Sequence, residues 1–133
     1  MKKLILIMLP IMIFMIGCSN SSYSSFENKF NKLYYEVASE IDIEHAYDSV
    51  KKLQSENNIQ NVEAMKNLLD DIKGDVSTTS KNDYKQMQVQ YEGIAFLQST
   101  YKGWDSLTND EKRKFNTEIW RAYDLYRDHE KVK

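Results

Sequence analysis

The chain has 133 residues, 41% hydrophobic and 29% charged, with 18 basic against 20 acidic side chains. A formal charge of −2 leaves no cationic excess for a phosphate backbone, so nucleic acid is not expected as a partner. One cysteine excludes an internal disulfide, so the folded part must hold together by packing alone.

Met1-Lys2-Lys3 is a short basic start, and Leu4 to Ile16 follows as thirteen uncharged residues interrupted only by Pro10. Gly17-Cys18 closes the run, and Ser19-Asn20-Ser21-Ser22 turns abruptly polar. A basic head, a short apolar segment and a small residue at its end form the pattern of a secretory leader. Crossing a bilayer takes about 20 apolar residues, and this run is short of that. Met15-Ile16-Gly17-Cys18 resembles the lipobox of bacterial lipoproteins. Gly17 and Cys18 fit the two most restrictive positions of that motif, whereas Met15 stands where leucine is usual and Ile16 is a tolerated residue. The resemblance implies that residues 1–17 are removed as a signal peptide. It also implies that Cys18 carries a diacylglyceryl group and holds the protein on the extracytoplasmic face of the cell membrane. Each buried CH₂ contributes about 0.8 kcal/mol, so two acyl chains anchor stably where one is marginal.

Without residues 1–17, the chain keeps 116 residues, with 16 basic and 20 acidic side chains. That length suits one domain, assigned to 26–133, preceded by a lipidated cysteine and serine-rich tether at 18–25. Ser19 to Ser25, fully extended, reach at most about 24 Å, which keeps the domain near the bilayer. No proline follows Pro10, and the glycines after residue 17 are Gly74, Gly93 and Gly103. Such scarcity of breakers points to helices. Over all 133 residues lysine outnumbers arginine fifteen to three, and asparagine, isoleucine and tyrosine are plentiful. The composition looks like that of a low-GC Gram-positive bacterium.

Phe26, Phe30, Leu33, Val37 and Ile41 lie on one helical face, with Ser24 or Ser25 as N-cap. Asp42 breaks the phase. Ile43, Ala46, Tyr47, Val50 and Leu53 then form a new helix or a kinked continuation. Glu56-Asn57-Asn58 reads as a turn, and Asn58 or Asn61 as the cap of a helix bearing Val62, Met65, Leu68, Leu69 and Ile72, with Gly74 as its stop. Asp75 to Asn82 is a Ser/Thr-rich loop. From Asp83 to Lys102, Tyr84, Met87, Tyr91, Ile94 and Tyr101 mark one face, while Val89, Gly93 and Phe96 mark a second. A mid-helix glycine costs about 1 kcal/mol against alanine, so Gly93 predicts a close helix crossing. Thr108-Asn109-Asp110-Glu111 is a capping box opening a last helix whose stripe is Phe115, Ile119, Ala122 and Tyr126. The expected fold is all-α, a small bundle of four to five helices.

Candidates for chemistry are sparse. His45 and His129 lack any HExxH or Cys/His context, and neither a GxSxG nucleophile nor a glycine-rich phosphate loop occurs. No enzymatic activity, cofactor or metal is expected, and both histidines read as solvated surface residues. The aromatics stand out instead. Trp104, Trp120 and Tyr123 gather toward the last helix and form the expected interaction surface, because Trp and Tyr give contact area at low entropic cost. The leading expectation is a non-enzymatic interaction module that binds another envelope protein and touches the membrane through its lipid. A binder of wall glycan, lipid or small solute is the alternative, and an exclusion or immunity-type lipoprotein a second one.

Overall fold

A computed structural model describes residues 24–74, 76 and 81–133. The leader at 1–17, the lipobox residues Met15, Ile16 and Gly17, the lipidation site Cys18, most of the tether and most of the Asp75–Asn82 loop lie outside the described residues. Among the described residues there are five α-helices and no strand, which makes the fold a small all-α bundle.

Helix α1 covers residues 24–38, and Ser24 and Ser25 are already helical rather than capping residues. Its inward stripe is Phe26, Phe30, Tyr34, Val37 and Ala38, with Ile41 folded in behind the last turn. Tyr34 takes the core position expected of Leu33, which is only half-buried, because the stripe advances by four from Phe26 through Phe30. Phe30 is fully enclosed, with Phe26 and Tyr34 at ring-centroid distances of 6.4 and 6.5 Å.

The break at Asp42 separates two helices. Its carboxylate accepts from the Glu44 N–H at 2.9 Å and meets His45 Nδ1 at 3.1 Å, an Asx-type turn that stops helical phase. Helix α2, Ala46–Lys52, starts afresh and buries Val50, with Leu53 just beyond it. Helix α3, Glu56–Ile72, is capped by Ser55, whose side chain accepts from the Asn58 N–H. Glu56-Asn57-Asn58 is therefore a first helical turn. Asn58 is buried inside it and donates Nδ2 to the Lys52 carbonyl at 3.0 Å, which removes it from any capping role. Gly74 is not a left-handed stop, since Gly103 alone among the described residues has a positive φ, at 127°.

Helix α4, Lys81–Ser99, passes through a 3₁₀ turn (Thr100–Lys102), Gly103 and a second 3₁₀ turn (Trp104–Ser106) into α5, Asn109–Val132. The α5 capping box forms as the sequence predicts: Thr108 Oγ1 accepts from the Glu111 N–H, and Glu111 accepts from the Thr108 N–H at 2.7 Å. On α4 the expected second face is incomplete. Gly93 is buried and Phe96 half-buried, but Val89 stands 45% exposed.

Long seams join α3 to α4 and α4 to α5. Glu36 on α1 accepts from Asn61 on α3, and Tyr35 on α1 stacks on His129 of α5. Four antiparallel helices thus close a ring around the core, and α2 covers one end of it. That cover is fastened by side chains reaching backbone: Gln98 donates to the Leu53 carbonyl at 2.8 Å, Gln54 to the Gln98 carbonyl, and Tyr47 to the Tyr101 carbonyl at 3.0 Å.

Candidate functional site

The three aromatics expected to form one surface divide into two groups. Trp104, on the second 3₁₀ turn, sits edge-on to the buried Phe115 at 5.3 Å and is half-buried, with Lys112 Nζ 5.4 Å from its ring centre. It closes the core at the start of α5. Trp120 lies five residues beyond Phe115, which turns it to the opposite side of α5, and it is 52% exposed. Tyr123 stands perpendicular to Trp120 at 6.1 Å, and the Arg127 guanidinium lies 5.7 Å from the Tyr123 ring centre. Arg127 is itself held by Asp124 at 2.9 Å and Asp128 at 3.2 Å. Trp120 therefore stands exposed on α5 beside the half-buried Tyr123 and its charged border, while Trp104 packs on the core at the start of the helix.

Sequence reasoning missed a cleft between α1 and α5. It has a volume of about 660 Å³ and is lined along α1 from Asn28 to Ser39 and along α5 from Tyr126 to Lys133. Its wall is the stack of Tyr35 on His129, with ring centroids 3.8 Å apart and planes within 4°. His129 is consequently half-buried and not the solvated surface residue expected of it. His45 does remain exposed, bonded to Asp42. Inside the cleft Glu130 pairs with Lys133, and Glu36 is engaged by Asn61. Burial raises the Tyr35 hydroxyl above its ordinary value of 10.0, so it stays a neutral hydrogen-bonding group.

A second polar arrangement lies in the core. The Glu118 side chain on α5 covers Gly93 of α4 and pairs with Arg121. A Cβ built on Gly93 would meet the Glu118 carboxylate, with Cδ only 3.1 Å away. The close crossing predicted from Gly93 exists, and a carboxylate fills it. Buried Tyr34 nearby has its hydroxyl pushed well above 10.0, first by burial and then by Tyr35. On the other side of the core, the Tyr84 hydroxyl donates to the Leu69 carbonyl at 3.0 Å, tying α4 to α3.

Among the described residues no group of three His, Cys, Asp or Glu side chains is placed to hold a metal ion, and no helix is long and apolar enough to cross a membrane. Comparison with family models, curated proteins and solved structures finds no match.

Proposed function

We propose that the protein is a small lipoprotein, anchored through Cys18 on the extracytoplasmic face of the cell membrane, whose helical bundle is a non-enzymatic module for docking an envelope protein. Trp120 is the observation that carries the docking half of this reading. A tryptophan 52% exposed, on a helix whose other aromatics are buried or half-buried, keeps apolar area in water that a partner would cover. Tyr123 stiffens it from the side, and the Asp124–Arg127–Asp128 border supplies polar contacts around it. The anchoring half rests on the lipobox-like Met15-Ile16-Gly17-Cys18.

The test is crosslinking on intact cells followed by capture and mass spectrometry, comparing the natural chain with Trp120→Ala. One reproducible protein partner, lost with Trp120→Ala and kept with Trp104→Phe, supports the reading. A partner captured equally by Trp120→Ala rejects this surface. For the anchor, Cys18→Ala should move the protein out of the membrane fraction, and unchanged fractionation rejects lipidation.

A second reading, a binder of a glycan or small solute, is favoured by the α1/α5 cleft. Concave sites between bundle helices, with a few converging polar groups, are where small ligands bind.

A further inference from the structure

The chemistry of the α1/α5 cleft restricts what it can hold. Asn28, Asn31 and Lys32 on α1 carry polar groups engaged by no other described side chain, Tyr126 on α5 has its hydroxyl near the Lys133 ammonium, and all line the cleft beside the Tyr35–His129 stack. The two carboxylates present, Glu36 and Glu130, are already engaged by Asn61 and Lys133. A cation would meet Glu36 alone, since Glu130 is paired with Lys133, and one carboxylate already sharing an oxygen with Asn61 is poor provision for a cation. An anion would find one free ammonium, Lys32, in a cleft whose formal charges balance, which is poor provision for a phosphate or polyphosphate. A purely apolar ligand would strip water from the amides and hydroxyls without replacing their hydrogen bonds.

A neutral polyhydroxylated ligand meets none of these objections. Two asparagine amides provide donors and acceptors together, as adjacent sugar hydroxyls require, and the tyrosine hydroxyl adds either role. Aromatic ring faces carry negative charge density, which attracts the weakly positive C–H face of a pyranose ring. The stack also holds His129 against Tyr35 in advance, so less ordering is left for binding. From Asn28 to Ser39 the α1 wall runs about 16 Å, long enough for several sugar units in a row.

We infer that the α1/α5 cleft is a binding site for a neutral oligosaccharide, with the Tyr35–His129 stack as its platform and Asn28 and Asn31 as its hydroxyl-reading groups. This rests on the second reading above, that the cleft takes a ligand at all.

The test titrates the isotopically labelled full chain, followed by amide and side-chain NMR shifts, with four probes. These are an N-acetylglucosamine tetramer, a glucose tetramer, inorganic phosphate and phosphatidylglycerol vesicles. Saturable shifts at Asn28, Asn31, Tyr35 and His129 with at least one oligosaccharide are expected. Asn28→Ala combined with Asn31→Ala, the first exposed and the second half-buried, should weaken that binding about tenfold or more, with Ile59→Ala, exposed on α3, leaving it unchanged. Equal affinity in the double variant overturns the assignment of the amides. Shifts of the same residues with phosphate or vesicles, and none with either sugar, overturn the saccharide class while the ligand cleft stands. No shift with any probe overturns both.

Discussion

Gly93 shows how one missing side chain can be set by a neighbour on another helix. Its helix would gain about 1 kcal/mol from alanine in isolation. The added methyl, however, would occupy the space of the Glu118 carboxyl, which is almost fully buried and paired with Arg121. Moving the Glu118 carboxylate away from Gly93 disturbs its pairing with Arg121, and a charge-assisted hydrogen bond of this kind contributes about 1.5–3 kcal/mol. Gly93→Ala should therefore destabilise by about 0.5–2 kcal/mol net in urea melts. In a Glu118→Ala background the same change should become neutral or stabilising. If Gly93→Ala raises stability in the natural background, Glu118 is not confined as the structure has it. Tyr34, close to the same pair, gives a parallel case of a polar group that burial holds in its neutral form.

At the scale of elements, the helix starts divide into those set locally and those set by packing. The α5 start was legible because every atom of a capping box comes from four consecutive residues, Thr108 to Glu111. Its pH dependence follows. Hydrogen bonds from the Thr108 backbone and side chain hold the Glu111 carboxyl below its ordinary 4.5. A carboxylate with a lower folded than unfolded pKa contributes stability that is complete above the unfolded value and is lost as pH falls through the folded one. The stability gap between the natural chain and Glu111→Gln should thus be widest near neutrality and close as the pH drops below 4.5. Thermal melts by circular dichroism across that range would show it, and a gap that persists in acid would remove the charge from the cap. Thr108→Ala should cost about 1 kcal/mol near neutrality, less in acid, where the side-chain share of the Glu111 contact is lost.

The start of α3 was not legible in the same way. Ser55, Asn58 and Asn61 are all competent caps, and the choice falls to Ser55 because Asn58 is drawn inside to the Lys52 carbonyl while Val62 and Met65 face the core. The cleft was hidden for a stronger reason. Tyr35 and His129 lie at opposite ends of the sequence, and only ring closure of α1 against α5 brings them together. Gly93 announced a close crossing, yet nothing local said that a glutamate would fill it.

For the molecule as a whole, the antiparallel order has a geometric consequence for the proposed anchor. Helices α1 and α4 begin at one pole of the bundle, and α3 and α5 end there, whereas α2 and both 3₁₀ turns sit at the other. Ser24 is six positions beyond Cys18, a reach of at most about 22 Å. A lipid on Cys18 therefore sets the first pole toward the bilayer. Trp120 lies about 18 Å up α5 from Val132, on a lateral face, where another protein standing on the same membrane could meet it side by side. Spin-labelled lipid headgroups should broaden NMR signals of Lys29, Lys81 and Lys131 in the anchored protein and spare Lys51, Tyr101 and Thr108. Uniform broadening would mean the bundle tumbles freely on its tether, and the lateral exposure of Trp120 would then owe nothing to orientation. The reverse pattern would place α2 against the membrane, which a tether entering at Ser24 does not allow, and would reject Cys18 as the attachment point.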